Sequence, residues 1–153
     1  MPQIVSKIVE IFIYRKFGNE FKFLLLKRNK NEIYPGIWSI AGGEIDKGEK
    51  AYEAATREMK EETGLTPKHI YLIDNVNVFY EMHDDVVHLV PVFLAETEED
   101  EVKLSDEHSE YAWINYEDAY KKIYWNGWKN NLKLIHEILN NENLLRTLKE
   151  IKL

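Results

Sequence analysis

Gly43-Glu44-Ile45-Asp46-Lys47-Gly48-Glu49-Lys50-Ala51-Tyr52-Glu53-Ala54-Ala55-Thr56-Arg57-Glu58-Met59-Lys60-Glu61-Glu62-Thr63-Gly64-Leu65 is the stretch on which the reading of this chain turns. Ala51, Ala54, Ala55 and Met59 recur at helical spacing among good helix formers, which predicts a helix over 49–62. Gly48 stands before it as a turn and Gly64 after it as a left-handed stop. Residues three and four apart share a face, so Glu58, Glu61 and Glu62 crowd into one acidic patch. Such a patch raises carboxylate pKa values and opposes the backbone dipole at a helix C-terminus unless a cation sits among the oxygens. Hard oxygen donors of this kind suit magnesium. Arg57 precedes Glu61 by one helical turn and can fix that carboxylate through an ion pair. Most charge-rich helices are solvated faces, but glycines and an arginine in register argue for a site here.

Gly43, Glu49, Arg57, Glu58, Met59, Glu61, Glu62, Gly64 and Leu65 match the Nudix box without departure, and the chain resembles the Nudix hydrolases. Seven of these nine positions demand one residue type, each met by chance roughly once in ten to twenty trials. The resemblance covers most of residues 1–140 and implies an α/β Nudix fold, an α/β/α sandwich with a mixed central sheet. It implies a pyrophosphohydrolase that cleaves a phosphoric anhydride in a nucleoside diphosphate-linked substrate with Mg2+, Mn2+ being the alternative ion. By the same resemblance Glu58 and Glu62 hold the metal, helped by Glu61 and by a main-chain carbonyl of a glycine turn at Gly42. Arg57 and Glu49 orient these ligands. Carboxylates already on a metal are poor proton acceptors, so a base elsewhere is needed. Glu107, in Ser105-Asp106-Glu107-His108, falls relative to Trp113 where many members place a further catalytic or metal-binding glutamate.

Composition agrees with an enzyme of one domain over residues 1–153, its C-terminal segment from about residue 116 being helical. Hydrophobic residues make up 44% and charged residues 31%, unlike a disordered or fibrous chain. The absence of cysteine excludes disulfides, thiolate zinc sites and a cysteine nucleophile, and makes a cytoplasmic location the default. Apolar runs such as Phe23-Leu24-Leu25-Leu26 are too short to span a bilayer. A net charge of −7 argues against nucleic acid or an anionic membrane as partner. A small nucleotide is the expected substrate, with Lys27 and Arg28 at a strand end supplying local positive charge.

Strands are expected at 8–14, 21–27, 37–40, 70–80, 86–95 and 108–114, the first two forming a hairpin around Lys16-Phe17-Gly18-Asn19. Helices are expected at 116–123, 128–139 and 142–151. The acidic run Glu96-Thr97-Glu98-Glu99-Asp100-Glu101 reads as a solvated hairpin loop rather than a ligand cluster. In Trp125-Asn126-Gly127-Trp128-Lys129-Asn130-Asn131, Trp128 and Asn126 could stack and hydrogen-bond a base, or the tryptophans could only pin the last helices to the sheet. The two readings stand level.

Layout from Glu107 onward is similar to that of bacterial dATP pyrophosphohydrolases, which implies release of pyrophosphate from a (deoxy)nucleoside triphosphate. Leu104-Ser105-Asp106-Glu107-His108 also resembles the asymmetric dinucleoside tetraphosphate hydrolases. A non-catalytic nucleotide-binding or interaction domain of the family is the third reading; retention of all the box acids disfavours it. Dimers are common in the family, so a homodimer stays open.

Overall fold

Along Ile8–Phe17 and Val86–Glu96 apolar residues run nearly unbroken, the pattern of strands covered on both faces. The computed structural model, which describes residues 1–153, puts these two at the centre of a nine-stranded mixed sheet. In chain order the elements are Gln3–Val5 (β1), Ile8–Phe17 (β2), Glu20–Arg28 (β3), Trp38–Ser39 (β4), Ala41–Glu44 (β5), Ala51–Thr63 (α1), His69–Glu81 (β6) and Val86–Glu96 (β7). There follow His108–Ile114 (β8), Tyr116–Lys122 (α2), Asn126–Leu139 (α3), Glu142–Thr147 (α4) and Lys149–Glu150 (β9). The main order is β4-β3-β2-β7-β6-β9, with β1 beside β7, β5 beside β2 and β8 beside β3. β2 and β1 run parallel to β7, while β3 and β6 are antiparallel to their hairpin partners.

Alternation along β2 sends Val9, Ile11 and Ile13 to one face, where they meet Ala54, Ala55 and Met59 of α1. Phe12 and Tyr14 face the other way and pack with Ala119 of α2 and Leu132 and Ile135 of α3. The result is the expected α/β/α sandwich. At the end of α1, Gly64 adopts φ 74° and its amide donates to the Lys60 carbonyl at 2.9 Å, the left-handed stop read from the sequence.

The structure departs from the sequence reading most plainly at the start of α1, at the end of the last helix and in the path of the acidic run. α1 begins at Ala51 rather than Glu49, because the Glu49 carboxylate turns back to accept from the Asp46 amide at 2.9 Å, while Glu53 caps the Lys50 amide at 2.9 Å. The last helix ends at Thr147 rather than 151: Leu148 is extended, β9 pairs with β6, and the Ile151 amide donates to the Ile70 carbonyl at 2.9 Å. Satisfying the free edge of β6 outweighs one more turn on a short, marginal helix. The acidic run is no hairpin loop, since β8 pairs with β3 and not with β7. It opens a crossover pinned by Lys68 on Glu98 at 2.8 Å, the Thr66 amide on Glu99 at 2.7 Å and Arg15 on Asp100 at 3.5 Å.

One carboxyl stands in the buried part of β2, on the α3 side. Glu10 is 7% exposed; its Oε1 accepts from Asn77 Nδ2 at 2.9 Å and its Oε2 has no partner. Burial pushes its pKa up to about 7, against the pull of Asn77 and the Trp128 indole. The folded chain thus keeps a proton that the unfolded chain releases near the ordinary value of 4.5. Stability contributed here is greatest below that pH, falls as pH rises to about 7 and is level beyond. Glu10→Gln keeps the bond to Asn77 and removes the ionisation. It is expected to stabilise the fold by about 1–3 kcal/mol at alkaline pH and to change little under acid conditions, as urea unfolding at both would show.

Candidate active site

Arg57 is the hub of the box. Its Nε and Nη2 donate to the two oxygens of Glu49 at 2.8 and 2.9 Å, and Nη1 donates to Glu58 at 2.8 Å and to Glu61 at 3.2 Å. Nη2 also reaches the Glu44 carbonyl at 2.9 Å, tying α1 to the end of β5. Only a planar, forked cation can hold this many oxygens at fixed angles. Sequence spacing anticipated the bond to Glu61 but not the bond to the adjacent Glu58. Pairing with Arg57, then the Asp46 amide, holds Glu49 down at about 2.

Glu58 and Glu62 face β5. The Glu58 carboxyl rests on Gly43 so closely that a Cβ there would stand 2.4 Å from its Cδ. Glu62 is 4% exposed, and its Oε2 accepts from the Gly42 amide at 3.0 Å. Gly42 lies within β5 opposite Glu10, not in a turn, and engages α1 through its N–H. Beyond β7 the chain returns over the end of α1, the Lys103 amide donating to Thr63 at 2.8 Å and the Ser105 amide to Glu62 at 3.4 Å. That return delivers Glu107: one oxygen of Glu107, one of Glu62 and a ring nitrogen of His108 lie within 4.8 Å of one another.

Electrostatics report the crowding. Burial, then Glu107 beside it, push Glu62 up to about 9 despite the Gly42 amide. Burial also raises Glu58, with Arg57 opposing it. Burial lowers the His108 imidazole to about 4, and neither of its nitrogens has a hydrogen-bond partner. A divalent cation among these groups relieves the acid repulsion and the unmatched ring together, and the oxygen-rich donor set fits such an ion. The sequence reading did not single out His108; its place directly after Glu107 is the only hint.

A family model described as the NUDIX domain matches residues 7–137. This chain belongs to the Nudix family. The asymmetrical bis(5'-nucleosyl)-tetraphosphatase of Caenorhabditis elegans is 34% identical to this Nudix chain over 121 residues, 77% of this chain and 85% of that one. Nucleoside triphosphatase NudI of Escherichia coli K12 is 28% identical over 109 residues, 65% of this chain and 77% of that one. Among solved structures, a C. elegans Ap4A hydrolase binary complex superposes with a TM-score of 0.72 at 27% identity, covering 88% of this chain and 98% of that one. The protein is therefore a Nudix hydrolase, an enzyme acting on phosphorus-containing acid anhydrides. No helix in it is long and apolar enough to cross a membrane.

Other residues anticipated for the Nudix site are less engaged with it. Lys27 pairs with Glu110 at 2.9 Å, and Arg28 braces the following loop by donating to the Ile33 carbonyl at 2.6 Å, its Nη2 standing 3.7 Å from Glu32. Asn126 opens α3 at the surface, and Trp128 packs into the core on the α3 side, its ring 6.2 Å from that of Trp125. Both lie on the sheet face opposite α1. Gly127 seats the start of α3 on β6, where a Cβ would meet Asn77 Oδ1 at 2.2 Å.

Proposed function

We propose that this Nudix hydrolase is a Mg2+-dependent enzyme that hydrolyses a dinucleoside tetraphosphate asymmetrically, to a nucleoside triphosphate and a nucleoside monophosphate. The observation that carries this reading is the seating of Leu104-Ser105-Asp106-Glu107-His108, the segment similar to that class, against the C-terminal end of α1. The 34% identity to a tetraphosphatase supports it. In this reading Glu58 and Glu62 are the metal ligands, with Glu61 and the main chain of Gly42 assisting. A bound divalent ion supplies neutralisation of phosphate charge and a lowered water pKa. Glu107 stands beside these ligands as the further metal-binding glutamate, and Arg57 with Glu49 holds Glu58 and Glu61 in place. Lys27 and Arg28 attract the phosphates; Trp128 and Asn126, on the α3 face of the sheet, serve the base. The lack of cysteine supports a cytoplasmic setting.

Cleavage of nucleoside triphosphates to monophosphate and pyrophosphate is the second reading, favoured by the 28% identity to a nucleoside triphosphatase. Product analysis separates the two. With magnesium and a panel of dinucleoside tetraphosphates, nucleoside triphosphates, nucleotide sugars and dinucleotide cofactors, the expected products are a triphosphate and a monophosphate from the first group. Pyrophosphate released from triphosphates, with tetraphosphates untouched, would transfer the assignment to the second reading.

A further inference from the structure

His108 is given no part in the function proposed above, yet its surroundings define one. It opens β8 and is 4% exposed, while both Nδ1 and Nε2 are buried without a partner. An unmet polar group in such a place is costly, and native proteins leave few of them. A β-bulge sets the ring's direction. The register of β3 with β8 shifts between Lys27 and Arg28, so that Glu110 stands opposite Lys27 and His108 opposite Arg28. Ser109 is the extra residue; Glu110 goes outward to Lys27 and His108 goes inward. Inside, its nitrogen lies within 4.8 Å of oxygens from Glu62 and Glu107. Donors held at about 2.1 Å around one ion are roughly 3–4.2 Å apart. Small side-chain shifts therefore bring these three onto a common ion.

We propose that His108 is a nitrogen ligand of a cation site completed by Glu62 and Glu107, and that this site takes a borderline transition ion such as Co2+ or Zn2+ more tightly than Mg2+. It rests on the assignment of Glu62 as a metal ligand. Magnesium keeps to oxygen donors and retains its waters, whereas imidazole nitrogen favours the later first-row ions. A site built only from the box glutamates would lack that bias. His108 is the donor that supplies it.

Cobalt is the probe. Titration of the metal-free protein with Co2+, followed by its visible absorption, is expected to show affinity on the order of 100-fold weaker in His108→Gln than in the wild type, outer-shell partners alone costing roughly 10–100-fold. Mg2+ affinity is expected to change by less than about threefold, since magnesium draws on the oxygens. Proton NMR of the Co2+-loaded wild type, labelled with 15N-histidine, should show a strongly shifted, exchangeable imidazole signal, which needs no substitution and so does not depend on the variant folding. Equal Co2+ affinity in wild type and variant, with no shifted imidazole, would remove His108 from the site while leaving the glutamate assignment standing if Glu62→Gln weakens binding. Metal affinity indifferent to both substitutions would overturn the glutamate assignment as well.

Discussion

Glu62→Gln is expected to lower magnesium-dependent turnover by about a thousandfold, the equivalent of about 4 kcal/mol of transition-state stabilisation, while the fold stays intact. The geometry explains why the two effects separate. Glu62 is nearly enclosed, and its Oε2 accepts from the Gly42 amide at 3.0 Å, a bond that a glutamine oxygen also accepts. With its pKa pushed up to about 9, the metal-free side chain is already neutral at physiological pH, so glutamine replaces a neutral group with a neutral group. What the variant loses is the anion that a cation summons by displacing that proton. Thermal unfolding in chelator should be nearly the same in both proteins. Added magnesium should raise the wild-type midpoint and leave the variant's unmoved, because only the native state of the former binds the ion. The wild type should also release protons on binding magnesium at neutral pH, seen as a calorimetric enthalpy that varies with the buffer. Unchanged turnover would take Glu62 out of the reaction.

What could be read from the sequence follows from how local each signal is. The spacing of Arg57, Glu58, Glu61 and Glu62 and the stop at Gly64 depend only on helix geometry, and the structure reproduces that helix to within two residues at its start. Glu107 required knowing that a distant segment returns over α1; resemblance supplied its position, and the bonds from Lys103 and Ser105 show the physical means. Glu10 was hidden because one acid in an apolar strand looks like an outward-facing residue until the α3 layer covers it. His108 was hidden by its bulge, since strict alternation along β8 would not separate it from Glu110. The short β9 was hidden as well, because Leu148 to Ile151 gains its strand only from the open edge of β6.

The paired glycines of β5 predict opposite failures when each is given a methyl group. In Gly43→Ala the new Cβ would lie 2.4 Å from Cδ and 2.5 Å from Oε1 of Glu58, the far end of a side chain that can rotate away. The fold should survive, but Glu58 leaves the position that Arg57 holds at 2.8 Å. Displacing a catalytic group by about 1 Å costs on the order of 100-fold, so kcat should fall by at least that factor with little change in Tm. In Gly42→Ala the Cβ would lie 2.4 Å from the carbonyl oxygen of Val9, backbone at the middle of the sheet with nowhere to move. Relief requires parting β5 from β2, and overpacking of this kind costs about 1–3 kcal/mol or more. Tm should therefore drop clearly in Gly42→Ala, and residual activity should track the folded fraction. Melting curves set beside kcat for the two variants read the difference directly. A Gly43→Ala enzyme with wild-type kcat would mean that the Glu58 carboxylate can leave β5 without consequence, and would exclude it from the site.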